Sequence, residues 1–267
     1  MTRRSVAATF RGALPALLLL VAIVAAWEAY VRASGIRPQV LPAPSRVAAE
    51  GWAFRDLIWA QTLPTLGETA LGFSLAILVG TLTAAAIDFW SAVRRALYPM
   101  LVASQTIPVV AVAPLLVLWF GFGLLPKALV VALVTFFPIT VGWVDGFAAT
   151  ERAASNLLRS MGASRWQVFR LVRVPGALPS FFSGLRIAIT YAVVGAIFAE
   201  YVGAKRGLGI FMQLQQNSFR TDLVMAAVVV TGAISVALFL ATYAIERAAI
   251  PWHHAVRASR AAREPRS

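Results

Sequence analysis

The sequence predicts an all-α, polytopic membrane protein with about six transmembrane helices and a helix–turn–helix loop on the cytoplasmic side. Three observations predict it. First, 60% of the 267 residues are hydrophobic and only 13% are charged, against roughly 25% charged in soluble domains; the mean hydropathy is +0.76. Second, the few charges are spaced so that apolar stretches of spanning length lie between them. Third, one polar stretch is too patterned to be a spacer. This profile excludes a disordered chain, a coiled coil and most soluble enzymes. There is no cysteine, so no disulfide framework, thiol nucleophile or Cys metal site exists. His253 and His254 are the only histidines, too few for a multi-histidine metal centre.

A bilayer crossing takes about 20 mostly apolar residues. Residues 12–27, between Arg11 and Glu28, form the first, which Tyr30 and Val31 extend. Residues 69–87, between Glu68 and Asp88, form the second, and 96–126, between Arg95 and Lys127, the third. Residues 128–144 and 223–245 give two more. A sixth, about 178–200, is interrupted by Arg186. Arg3-Arg4 before an apolar stretch also fits a signal peptide, but no small-x-small cleavage site follows, so the first span reads as retained.

Lys and Arg set the orientation. With the N-terminus inside, cytoplasmic segments hold Arg3, Arg4, Arg11, Arg94, Arg95, the five arginines 152, 159, 165, 170 and 173, and Arg247, Arg257, Arg260, Arg263 and Arg266. The outer segments hold only Arg32, Arg37, Arg46, Arg55, Lys127, Lys205, Arg206 and Arg220. This bias puts both termini in the cytoplasm. Residues 1–61 then form an N-terminal anchor helix and periplasmic segment, 62–250 the transmembrane core with the cytoplasmic loop 149–177, and 251–267 a basic tail. The net charge of +13 is explained by inner-face arginines and anionic headgroups, so no nucleic-acid partner is expected.

Several polar groups fall inside the apolar part. Pro99, Pro108 and Pro114 interrupt the third stretch and Pro138 the next; each removes a backbone hydrogen bond and kinks the helix. Ser104, Gln105 and Thr106 precede Pro108 and are placed to satisfy the freed carbonyls. Such a break is either a packing kink or a bend lining a pathway. Arg186 reads as an anchor that snorkels to the inner interface. Glu200 reads as a headgroup-level residue or a ligand contact. Gly142 and Gly146 have the GxxxG spacing of close helix approach. Trp252 suits the interfacial belt, and the histidine pair after it reads as solvated interface.

The patterned stretch contains TERAASNLLRSMGASRWQVFRLVRVPGALP, residues 150–179. Ala153, Leu157, Leu158 and Met161 recur at helical spacing. Gly162 ends that helix in a left-handed position. Ser164 with Gln167 is a capping box opening a second helix, which aligns Trp166, Phe169 and Val172 (or Arg173) and is stopped by Pro175. A hairpin of this kind either joins two spans or docks into a groove on a soluble partner.

The stretch resembles the cytoplasmic signature of permease subunits of binding-protein-dependent ABC importers, EAA-x3-G-x9-I-x-L-P. Gly162 is followed at the matching spacing by Val172, Val174 and Pro175, while Asn156-Leu157-Leu158 stand at the EAA position and Glu151 lies too early to replace the motif glutamate. The resemblance extends over about residues 40–250. LPAPSRV (41–47), TLPTLGETALGFSLA (62–76), IPVVAVAPLLVLWFGFG (107–123) and FFPIT (136–140) resemble the nitrate/sulfonate/taurine/pyrimidine-precursor branch. ALPSFFSGLRIAITYAVVGAIFAEYVGAKRGLG (177–209) is most similar to permeases for thiamine-precursor pyrimidines.

The resemblance implies a multi-pass permease of the bacterial inner membrane that is not itself an enzyme. It implies a homodimer of this chain, two ABC ATPase subunits that bind ATP and magnesium, and a periplasmic or lipid-anchored substrate-binding protein. The chain has no G-x-x-x-x-G-K-[ST] loop to cradle nucleotide, so no cofactor is expected in it. The implied ATPase-coupling residues are Asn156, Leu157, Leu158, Met161, Gly162, Ala163, Ser164, Phe169, Val172 and Pro175. Gln105, Thr106, Trp119, Phe120 and Glu200, polar or aromatic groups near proline breaks or span ends, are the pathway candidates. A thiamine-precursor pyrimidine is the expected solute, with sulfonate, taurine, nitrate or riboflavin as alternatives within the same importer type. An ion-coupled secondary transporter is the alternative from another class, and only Glu200 and Asp145 offer it acidic groups.

Overall fold

The computed structural model of the protein describes residues 3–252; His253, His254 and the basic tail lie outside the described residues. In chain order the helices are α1 (Arg3–Ser34), α2 (Pro44–Ala53), α3 (Arg55–Phe89), α4 (Ser91–Ser104), α5 (Val109–Phe120), α6 (Leu124–Ala149), α7 (Arg152–Ser160) and α8 (Arg165–Val168). A π-helical turn, Phe169–Arg173, leads into α9 (Val174–Gly203), followed by α10 (Leu208–Asn217) and α11 (Thr221–Ala249). Five helical stretches are long and apolar enough to cross a membrane, and the pair α4–α5, bent by 102°, makes up to six. The long apolar stretch 96–126 is therefore a broken helix, not a straight span. The fold is the all-α, polytopic one that the charge spacing predicts.

The chain folds as two compact units, the residues up to Ala60 with Phe211–Val230, and Gln61–Ile210 with the chain from Thr231. In the first, the Glu28 carboxylate of α1 accepts hydrogen bonds from the Ser45 amide (2.9 Å) and hydroxyl (2.7 Å) at the start of α2. Two ion pairs fix α2 to the start of α11: Arg46 with Asp222 in its first turn at 3.0 Å, and Glu50 with Arg220 just before it at 2.8 Å.

In the second unit α6 and α9 are the most enclosed spans. Lipid supplies no hydrophobic drive between helices, so tight packing depends on small residues that let backbones approach. A Cβ on Gly142 would lie 2.9 Å from the Ser180 carbonyl oxygen, and one on Gly146 would lie 2.8 Å from the Ala177 Cα. The GxxxG spacing is thus the α6–α9 contact. Around it Trp143 stacks on Phe181 with ring centroids 4.3 Å apart, and Trp143 Nε1 donates to Thr81 Oγ1 of α3 at 3.0 Å.

Two expectations about this unit are corrected. Arg186 does not snorkel: it pairs with Glu246 near the end of α11. At membrane depth a partner inside the protein replaces the headgroup phosphates that the charge would otherwise seek. Pro175 does not stop a helix either. It lies in the first turn of α9, and the π-turn carries the chain from α8 into α9 without a break.

Candidate functional site

The loop after α6 is built from two caps placed back to back. At the end of α7 the Ala163 amide donates to the Leu158 carbonyl and the Gly162 amide to the Arg159 carbonyl, both at 3.0 Å. This Schellman pair needs a left-handed residue between its halves, and Gly162 has φ +86°. Ser164 then opens α8: its hydroxyl accepts from the Gln167 amide at 3.2 Å, and the Gln167 side chain accepts from the Ser164 amide at 2.7 Å. Only Gly162 and Ala163 separate the caps, so the elbow is sharp and its backbone donors are spent internally.

The expected coupling residues divide into two groups. No residue of α7 is buried; Leu157 is 63% exposed and Met161 74%, while Asn156 is exposed and Leu158 and Ala163 half-buried. Phe169 is buried. Its ring lies 4.8 Å from that of Phe89 and 5.4 Å from that of Phe147, and Trp166 stacks on it at 5.6 Å. Val172 and Pro175 are half-buried. One end of the loop thus presents apolar side chains outward while the other is anchored in the core.

The anchor includes residues that the sequence reading missed. Arg165 Nη2 donates to the Phe89 carbonyl oxygen at 2.7 Å, and Arg173 pairs with Asp88 at 2.8 Å while donating to the Phe147 carbonyl at 3.2 Å. Asp88 had marked only a span boundary. Its use as an arginine partner leaves no local sequence signal, because the two residues are 85 positions apart in a fold held by packing.

The pathway candidates also separate. Gln105 and Thr106 are exposed at the α4–α5 bend. There the Ser104 hydroxyl donates to the Leu101 carbonyl at 2.7 Å and the Thr106 hydroxyl to that of Ala103 at 2.8 Å, satisfying carbonyls that the broken helix frees. Trp119 and Phe120 are exposed at the far end of α5. Glu200 joins none of them. It is 0% exposed; Oε1 accepts from the Thr65 hydroxyl at 2.6 Å, and Oε2 from the Gly209 amide at 2.5 Å. Thr65 Oγ1 accepts in turn from the Leu208 amide at 2.9 Å, so Glu200 and Thr65 together cap the start of α10.

One turn along α3 from Thr65, Glu68 pairs with Lys127 at 2.5 Å, both largely buried. Thr65, Glu68 and Thr69 share one face of α3 by their spacing, and a T-x-x-E-T pattern inside an apolar helix is the signal that could have revealed this cluster. A cavity of about 440 Å³ opens beside it, lined by Glu68, Phe122, Lys127, Lys205 and Arg206 among others.

Comparison with known proteins follows the same outline. A family model described as "Binding-protein-dependent transport system inner membrane component" matches residues 76–252. The formylaminopyrimidine transport permease protein ThiX of Halalkalibacterium halodurans is 39% identical over 90% of this chain and 96% of its own length. The riboflavin transport system permease protein RibX of Chloroflexus aurantiacus is 37% identical over 90% of this chain and 89% of its own. The taurine transport system permease protein TauC of Escherichia coli is 31% identical over 88% of each. Among solved structures, the inward-facing MetNI methionine ABC transporter superposes with TM-score 0.59 at 19% identity, over 74% of this chain and 96% of the matched one; that is a likeness of fold. A match running from the middle of α3 to the end of α11, with relatives of nearly equal length, places this chain in the family of binding-protein-dependent transport system inner membrane components, the permease subunits of ABC importers.

Proposed function

We propose that two copies of this permease line an import pathway for a small, planar nitrogen heterocycle of the thiamine-precursor pyrimidine type. Two ATPase subunits grip the 156–164 segment from the cytoplasm, and a binding protein delivers the solute at the outer face. Both termini then lie inside. The observation that carries the reading is the elbow at Gly162: α7 and its capping residue hold Leu157 and Met161 away from the protein, while Phe169 and Arg165 tie the other end to the last turn of α3. An exposed amphipathic helix on a rigid mount suits a groove on a partner.

Closure of the ATPase dimer then pulls α7. The pull passes along α8 and the π-turn directly into α9, and through Phe89 to the corner where α4 begins. The broken pair α4–α5 has free helix ends at its bend, the kind of discontinuity that moves with alternating access and lines the pathway. Gln105 and Thr106 at that bend and Trp119 and Phe120 beyond it are the contacts we assign to the solute. The nucleotide drives the change only through its different affinities for the two states.

The solute class rests on the two relatives of highest identity quoted above, whose names specify a formylaminopyrimidine and riboflavin, both flat nitrogen heterocycles. The test is a thermal shift of the cognate binding protein with hydroxymethylpyrimidine, formylaminopyrimidine, riboflavin, taurine, alkanesulfonates and nitrate. Stabilisation by a pyrimidine alone supports the reading, and stabilisation by taurine or a sulfonate alone overturns it.

A further inference from the structure

Where α3 meets α4, a second cavity of about 430 Å³ is lined by Asp88, Phe89, Trp90, Arg94, Arg165 and Arg173 among others. Three guanidinium groups face one carboxylate. Arg173 is committed to Asp88 and to the Phe147 carbonyl. Arg165 gives one N–H to the Phe89 carbonyl, out of the five donors that a guanidinium carries. The Arg94 guanidinium has no hydrogen-bond or ion-pair partner among the described residues and lies in the field of Asp88. The cavity thus holds an excess of two positive charges and a set of unspent, forked donors, the arrangement that recognises phosphate oxygens.

Its surroundings point to the source of the phosphate. The cavity sits at the ends of apolar helices, and Trp90 and Trp166 beside it are 59% and 60% exposed. Exposed tryptophans at span ends mark the level of lipid headgroups, and basic pockets between spans at the inner face take anionic headgroups. We infer that this cavity binds the phosphate of an anionic phospholipid through Arg94 and Arg165, and so clamps the Gly162 elbow to the α3–α4 corner. The inference rests on the proposed topology that puts loop 149–177 in the cytoplasm, and its readout, bound lipid, does not depend on transport.

The test measures phosphatidylglycerol retained by the full-length permease purified from mixed phosphatidylcholine–phosphatidylglycerol membranes, by native mass spectrometry. Arg94→Gln should lower retention about fivefold, the effect of one surface cation, while Arg206→Gln at the opposite cavity leaves it unchanged. Asp88→Asn frees Arg173 and should raise retention, a sign that structural damage would not produce. Equal retention by wild type and Arg94→Gln overturns the inference. So does full displacement of lipid by millimolar inorganic phosphate, which would make this a soluble-phosphate site. Displacement on adding the ATPase subunit also overturns it, since the cavity would then be part of that interface.

Discussion

Arg165 Nη2 donates to the backbone carbonyl oxygen of Phe89 at 2.7 Å, joining the first residue of α8 to the last residue of α3. A guanidinium spent on a carbonyl at a helix end serves two purposes. It satisfies an acceptor that the helix leaves open, and it fixes the elbow to a corner from which the broken pair α4–α5 starts. The same pair is reinforced by the guanidinium carbon 5.8 Å from the Phe89 ring centre.

That contact should transmit force. Arg165→Ala removes a charged hydrogen bond worth about 1.5–3 kcal/mol, and the α3–α4 corner then no longer follows α7. ATP hydrolysis by the assembled importer should persist, while solute taken up per ATP falls about tenfold. Arg165→Lys, which keeps the charge and one donor, should recover part of it. The measurement is the uptake-to-hydrolysis ratio in proteoliposomes containing ATPase and binding protein. An unchanged ratio in the alanine variant would show that α9 alone carries the motion.

Gly162 separates conformational strain from steric contact. Its φ is +86°, and a Cβ added there meets nothing within 4 Å. Gly162→Ala therefore costs about 1–2 kcal/mol of left-handed strain and no clash, and Gly162→Asn less, since Asn tolerates this region. Uptake should rank wild type, Asn, Ala, with Gly162→Val near zero although the protein is still inserted. Ala163→Glu, which puts a charge in the segment we propose for the ATPase contact, should also abolish uptake. Wild-type uptake by stably inserted Ala163→Glu would remove 156–164 from the interface.

How far the sequence disclosed this arrangement depends on the range of each interaction. The elbow was fully legible, because the Schellman glycine, the Ser164–Gln167 box and the helical spacing of Leu157 and Met161 are all local. The GxxxG pair Gly142–Gly146 was legible as a spacing, but not its partner, Ala177. Charges were misread where they marked span limits: Glu68, Lys127, Asp88 and Glu246 look like boundaries in a hydropathy profile, yet each is paired with a distant residue. In an apolar fold a charge near a helix end has two physical solutions, water or a partner, and only the tertiary packing decides between them.

The Arg186–Glu246 pair offers a direct test of that second solution. Glu246 has a side chain 6% exposed, so Arg186→Leu strands a carboxylate at a cost of about 3 kcal/mol. Replacing both residues by leucine removes the two charges together and should restore most of the lost stability, as should the exchange Arg186→Glu with Glu246→Arg. The check is the melting temperature of the detergent-solubilised permease for the single and double variants. Additive losses in the double variant would mean that the residues do not interact.

Glu200 separates a structural latch from a solute contact. Both of its oxygens accept hydrogen bonds, one from the Thr65 hydroxyl and one from the Gly209 amide. Glutamine has a single acceptor oxygen, so in Glu200→Gln the Thr65 hydroxyl must give up its short bond and turn to the longer one with the Gln61 carbonyl at 3.3 Å, a loss of about 1–3 kcal/mol. For a chain of this size the melting temperature should fall by about 2–10 °C, since α10 loses its cap. The concentration of solute giving half-maximal uptake should not move, because the carboxylate is enclosed and its acceptors are already used. A shift in that concentration with an unchanged melting temperature would return Glu200 to the pathway, where charge in an apolar span first suggested it.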